Sequence, residues 1–273
     1  MIWNQTYLLF GHGLAFSCVL ASLPVLTLIL LLGKNRAYRN FPTFFLFMLW
    51  SLFSDGFLYY VRAHSSSDFF YRVYEVQLVI DSLMIFALLV EVAWSVLRPI
   101  RSSLPRYSWV GIAALVLVGA LLLWPIAGLT APSELSSEGR TLFLLQQTPA
   151  LMRAVFFLAL AAFSQLLSIG WRDRELQIAS GLGFYSIVSL AISMMHTHQA
   201  VSMPSYHTLD VMGGISYLVA LFYWVYAFAT QAAERREFTP QMQSMLLAVA
   251  GAARNTRIAL NDSSNDKSGK RRD

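Results

Sequence analysis

Charge is what this sequence has least of. Only 13% of its 273 residues are Asp, Glu, Lys or Arg, while 56% are hydrophobic. A soluble domain of this length carries roughly a quarter charged residues. The deficit and the long apolar runs exclude a water-soluble globule and indicate a polytopic membrane protein. Cysteine is nearly absent too. Cys18 stands alone inside an apolar run, which rules out a disulfide framework or a paired thiolate site within the chain. The lysines, Lys34, Lys267 and Lys270, all lie outside the apolar segments, so no deep amine is placed to hold a pigment as a Schiff base. His-Glu-x-x-His, Gly-x-Ser-x-Gly and a phosphate loop are missing as well. Gly214-Ile215-Ser216 has no histidine after it to make a serine hydrolase. The net charge of +5 comes from short loops and the C-terminal stretch, a pattern of membrane orientation and not of nucleic-acid binding.

What is present is a series of apolar runs, each near the roughly 20 residues needed to cross the hydrocarbon. Seven spans are expected, at about Leu8–Leu32, Phe41–Val61, Phe69–Leu97, Trp109–Leu129, Leu142–Ile169, Gln177–Met195 and Leu209–Thr230. The first is too long for a signal-peptide core and lacks a basic region before it, so it reads as a retained anchor. Arginine and lysine gather after spans one, three, five and seven, at Lys34, Arg36, Arg39, Arg98, Arg101, Arg106, Arg172, Arg174, Arg235 and Arg236. Arg62, Arg72 and Arg140 run against this bias and are outnumbered. The expected fold is therefore an all-α bundle of seven transmembrane helices, N-terminus outside and C-terminus cytoplasmic.

Residues 1–235 make the membrane domain. Residues 236–260 carry Met242, Met245, Leu246, Val249 and Ala253 at helical spacing, with Arg254 and Arg257 beside them. This is the pattern of an amphipathic helix on the inner membrane surface. Residues 261–273 have no apolar content and read as a disordered basic tail. The expected partners are the lipid bilayer and, through the tail, a cytoplasmic protein.

Several stretches also carry a resemblance. Tyr38-Arg39-Asn40-Phe41-Pro42-Thr43-Phe44-Phe45 opens span two. Phe69-Phe70-Tyr71 precedes Glu75, and Glu91 is followed by Arg98-Pro99. Gly170-Trp171-Arg172 leads into Gly181-Leu182-Gly183. Together they resemble a family of short bacterial seven-helix inner-membrane proteins with no known activity. The resemblance implies a seven-helix fold in the bacterial inner (plasma) membrane, and it implies no chemistry. More loosely, the plan is similar to the seven-helix sensory modules of bacterial histidine kinases and cyclases. That likeness rests on helix count alone.

The acids of span three are the first candidates for function. At about 100° per residue, Asp81 and Glu91 are roughly 80° apart and Glu75 is about 120° from Asp81. Glu91 lies near the inner end and reads as structural, reaching toward the loop arginines. Asp81 is near the middle, where an exposed acid costs about 2.5–3.5 kcal/mol on insertion scales. It should face the interior and find a partner. The basic residue deep in another span is Arg153, and Asp55 in span two competes for it. Asp55, Glu75, Asp81 and Arg153 thus form a candidate site for a ligand or a proton. Like charges in such a site do not all ionise.

Histidine supplies a second candidate. His196, His198, His207 and Asp210 fall between spans six and seven, and imidazole and carboxylate groups suit zinc. The spacing matches no metal signature, so no cofactor is expected. Three functions follow from these residues. The first is a non-enzymatic sensor or receptor with an outward-facing polar pocket. The second is a small proton-coupled transporter using the same acids. The third is a metal-dependent hydrolase built on the histidines.

Overall fold

The computed structural model describes residues 14–98, 107–129, 131, 137–164, 173–196 and 204–230. Among them are seven α-helices: α1 Leu14–Lys34, α2 Pro42–His64, α3 Ser67–Val96, α4 Ser108–Leu129, α5 Ser137–Phe163, α6 Arg174–His196 and α7 Pro204–Ala229. Each overlaps one of the expected spans. Six, α2 to α7, are long and apolar enough to cross a membrane; the part of α1 whose side chains are described, Ser22–Lys34, is a shorter apolar helix. The chain is a multi-pass, all-α membrane protein. Its exposed residues agree: Leu30, Phe53, Leu83, Leu115, Leu122 and Phe222 all turn outward, which only lipid tolerates over so wide a surface. The 236–260 and 261–273 segments lie outside the described residues.

Helices are the form that satisfies backbone polar groups without water, and neighbours can compensate for proline inside them. Pro24, Pro125 and Pro149 are all internal to helices. The α1–α2 connection is tight. Arg36 adopts a left-handed conformation (φ 52°), and a 3-10 turn, Ala37–Arg39, follows it. Pro42 then starts α2 at a position where its missing N–H costs nothing.

Each helix packs on the next in sequence, and α7 returns to α1, closing the ring. Helix α3 also touches α5 and α6 across the bundle. Helix α4 is peripheral: only 17% of its span is buried.

The half of the bundle at the α1–α2 turn is solid. Phe44 meets Trp224 edge-on at 5.3 Å and stacks on Phe228 at 5.8 Å. Leu32, Leu88, Val92 and Leu176 fill the space around them. Two glycines of α6 allow the approach of its neighbours. A Cβ on Gly181 would run into the Trp224 indole of α7, and one on Gly183 into Phe157 of α5. The Gly-x-Gly of the sequence is thus a close-packing device that faces both ways.

Polar side chains in this half finish helix ends. Phe41, the N-cap of α2, has no side-chain acceptor to offer. Glu91 of α3 supplies both: Oε1 accepts from Thr43 N at 2.7 Å and Oε2 from Phe44 N at 3.0 Å. The expectation that Glu91 reaches the loop arginines is corrected here. Its oxygens are spent on backbone donors that have no local acceptor. The C-terminus of α7 is closed in the same manner. Asn35 Nδ2 donates to Phe228 O at 2.6 Å, and Arg174 donates to Ala227 O and to Thr230 O, the latter at 2.7 Å.

Candidate functional site

The other half of the bundle is hollow. A cavity of about 120 Å³ lies between α2, α3, α5, α6 and α7. Each of four helices brings a pair of residues spaced i, i+4, which one helix face holds one above the other. These are Ser51 and Asp55 on α2, Gln77 and Asp81 on α3, Pro149 and Arg153 on α5, and Tyr185 and Ser189 on α6. Helix α7 contributes Tyr217, and lower down Trp224, which also belongs to the packed half.

Pro149 shapes the α5 wall. It has no N–H to give the carbonyl four residues earlier, that of Leu145. Ser82 Oγ of α3 lies 3.2 Å from that carbonyl and 2.8 Å from its own Leu78 O. One hydroxyl therefore repairs the interrupted ladder and ties α3 to α5 beside the cavity. Gln147 Nε2 donates to Ser193 Oγ, tying α5 to α6.

Three of the four residues expected to form the site line this one cavity: Asp55, Asp81 and Arg153. Glu75 does not. It is exposed, because six helical residues from Asp81 turn it to a different face. Asp81 accepts from the Trp50 indole, Nε1 to Oδ1 2.6 Å, and from the side chain of Gln77. Asp81 and Arg153 interact electrostatically across the cavity. The Arg153 guanidinium lies 5.6 Å from the centre of the Tyr185 ring, and Tyr185 meets Tyr217 edge-on at 5.7 Å. The Tyr217 hydroxyl lies 3.5 Å from Ser51 Oγ. Tyr217 lines the same cavity as Asp55 and Asp81.

Two buried polar atoms of cavity residues have no hydrogen-bond partner among the described residues: Arg153 Nε and Gln77 Oε1. Gln77 is only 6% exposed. One atom is a donor and the other an acceptor. Both atoms are enclosed by protein and present no surface of their own to the cavity; ordered water is a common partner of such groups.

Trp50, Gln77, Tyr185 and Tyr217 were not among the expected site residues. The i, i+4 spacing of Gln77 with Asp81 was legible in the sequence. The tyrosines were not, because interfacial tyrosine is common in any membrane protein.

The histidine candidates do not assemble within what the structure describes. No group of three His, Cys, Asp or Glu among the described residues could hold a metal. His196 ends α6. His198 lies outside the described residues, as do the side chains of His207 and Asp210.

No known protein family, curated protein or solved structure matches the chain.

Proposed function

We propose that this protein is a non-enzymatic sensor of the bacterial inner membrane. Its polar cavity opens to the outside and takes a small ligand, and the tail after α7 meets a cytoplasmic partner. The observation that carries this reading is the cavity itself. It gathers Asp55, Asp81 and Arg153 from three helices at a depth where ionisable groups are costly. Charges kept at that expense are a functional site by default.

A second feature favours a sensor over a carrier. The cavity ends on Trp224, and Phe44 and Phe228 pack directly behind it. A ligand entering from the hollow half meets a wall instead of a path. Helix α7 joins the two halves. It gives Tyr217 and Trp224 to the cavity, and its last carbonyls are held by Asn35 and Arg174.

Cysteine accessibility tests the reading. In a Cys18→Ser background, Ser51→Cys and Ser189→Cys should react with a membrane-impermeant thiol reagent added from outside. Leu221→Cys, buried in the packed half, should react from neither side. Cavity cysteines modified from the cytoplasmic side alone would reverse the orientation. Modification from both sides would replace the sensor with a carrier.

A further inference from the structure

Trp50 faces two ways. Its indole N–H donates to Asp81 of the polar cavity at 2.6 Å, and its side chain also lines a separate groove between α2 and α3. Ser54 and Gln77 belong to both spaces. We infer that this groove is a binding site for one phospholipid of the bilayer: an acyl chain lies along it, and Arg72 holds the phosphate at its mouth. The inference goes beyond the reading of the cavity and does not depend on it.

Shape comes first. Helix α2 gives Trp50, Ser54 and Phe57 to the groove, and α3 gives Arg72, Val76 and Ile80. Each set has the spacing of one helix face. Phe57 and Val76 are exposed and form the rims, while Ser54 and Gln77 are buried and form the floor. The groove measures about 270 Å³, against about 120 Å³ for the cavity behind it. From Arg72 to Ile80 it runs about 12 Å along α3.

Depth comes second. The 30 residues of α3 span about 45 Å, which is about 15 Å more than the hydrocarbon core. Shared equally between the two ends, the excess puts Arg72, about 8 Å in from Ser67, at the boundary between hydrocarbon and headgroups. Tyr60, Phe69 and Tyr71 are exposed at the same end, and exposed aromatics mark that boundary. The groove thus starts at the headgroups and ends close to the bilayer centre, as does a chain of one leaflet. A water-soluble ligand would have to cross lipid to fill it.

Charge comes third. Arg72 is exposed. Asp68 and Glu75 stand four positions before it and three after, yet Arg72 forms no ion pair among the described residues. Arg62, a second cation at this end, has its guanidinium 5.9 Å from the centre of the Phe70 ring. A guanidinium at headgroup level matches the paired oxygens of a phosphate. Bulk lipid touches every exposed helix face. What sets this face apart is an apolar groove with a phosphate-binding group in line above it.

The experiment strips the full-length protein of lipid in detergent and counts by native mass spectrometry what it takes back. Phosphatidylcholine and phosphatidylglycerol should each be retained at one site per chain. Diacylglycerol with the same chains, and inorganic phosphate alone, should not be. Arg72→Gln, and Val76→Trp, which fills the groove, should each weaken retention about tenfold. Leu115→Trp, exposed on α4, should leave it unchanged. Phospholipid brominated along its chains should quench the part of the tryptophan fluorescence that Trp50→Phe removes. Arg72 and Val76 are exposed, so neither change touches the packed core, and the four-compound comparison on the wild type decides without any variant. Diacylglycerol retained as firmly as phospholipid would overturn the proposal by removing the phosphate from it. Retention unaffected by Val76→Trp would overturn it by placing the lipid elsewhere. A dimer that Val76→Trp dissociates would seat a second copy of the chain in the groove and overturn it too, as would the retention of no lipid at all.

Discussion

Glu91 and Asp81 sit on one helix, ten residues apart, and each spends its oxygens differently. Asp81 is bound by a side-chain donor, the Trp50 indole, and faces a cavity. Glu91 is bound by two backbone donors, Thr43 N and Phe44 N. The difference comes from what lies opposite. Facing Glu91 is the start of α2, where Phe41 and Pro42 leave the first free N–H groups without a local acceptor. A carboxylate there also meets the positive end of the helix dipole. Glu91→Gln keeps one acceptor oxygen but turns an amide N–H₂ toward a backbone N–H. It should cost about 1–2 kcal/mol, the usual worth of an N-cap. Glu91→Ala strands both donors and should cost more, about 2–4 kcal/mol. Thermal denaturation of the purified variants measures this. If Glu91→Gln and Glu91→Ala both melt with the wild type, the carboxylate does not cap α2.

At the scale of the element, α6 is the helix that packs on two neighbours through glycine. Its face toward α7 carries Gly181 under Trp224, and its face toward α5 carries Gly183 under Phe157. Two residues along a helix turn it about 200°, so each glycine serves a different neighbour. Gly181→Ala and Gly183→Ala should each destabilise by about 1–3 kcal/mol through overpacking. Because Trp224 is also a cavity residue, Gly181→Ala should change the reactivity of a cysteine placed in the cavity (Ser189→Cys) as well, while Gly183→Ala should not. A melting curve and a thiol-labelling rate on each variant separate the two effects. Equal effects of both on labelling would show that Trp224 does not set the cavity wall. The Gly-x-Gly spacing is readable as close packing in the sequence alone, as are the seven helices, since hydrophobic length dictates them. The depth argument for Asp55, Asp81 and Arg153 is readable for the same reason. The capping role of Glu91 is not. It depends on α2 beginning beside α3, with Thr43 and Glu91 separated by 48 positions in sequence, and no local pattern records that. The repair of Leu145 O by Ser82 is equally hidden, because the need arises at Pro149 on a helix distant in sequence.

At the scale of the whole molecule, one end of the bundle is filled and the other is hollow, and the same helices run through both. Helix α3 passes from Gln77 and Asp81 at the cavity to Leu88 and Val92 in the core. Helix α7 passes from Tyr217 to Phe228. Helix α5 is the wall whose own ladder is broken. Pro149 interrupts its ladder within the cavity half, and one shared serine hydroxyl repairs it. The end of α7 is the opposite case: Phe228 is fully buried, and the last carbonyls are capped from two other segments. Local opening is easiest where packing is sparse and backbone bonds are missing or wet. Amide hydrogen exchange in nanodiscs should therefore be fastest, among the helix interiors, around residues 146–153 of α5. It should be slowest over residues 221–228 of α7 and 88–92 of α3. The expected contrast is at least tenfold in rate, since roughly 1.4 kcal/mol of opening free energy is a factor of ten. Ligand in the cavity should slow the α5 segment and leave the α7 end unaffected, because only the first has stability to gain there. Uniform protection along α5 and α7 would mean that the hollow half is as rigid as the packed one. The cavity would then be a fixed pocket, and any signal to the tail would have to pass as a rigid movement of α7 and not as an ordering of α5.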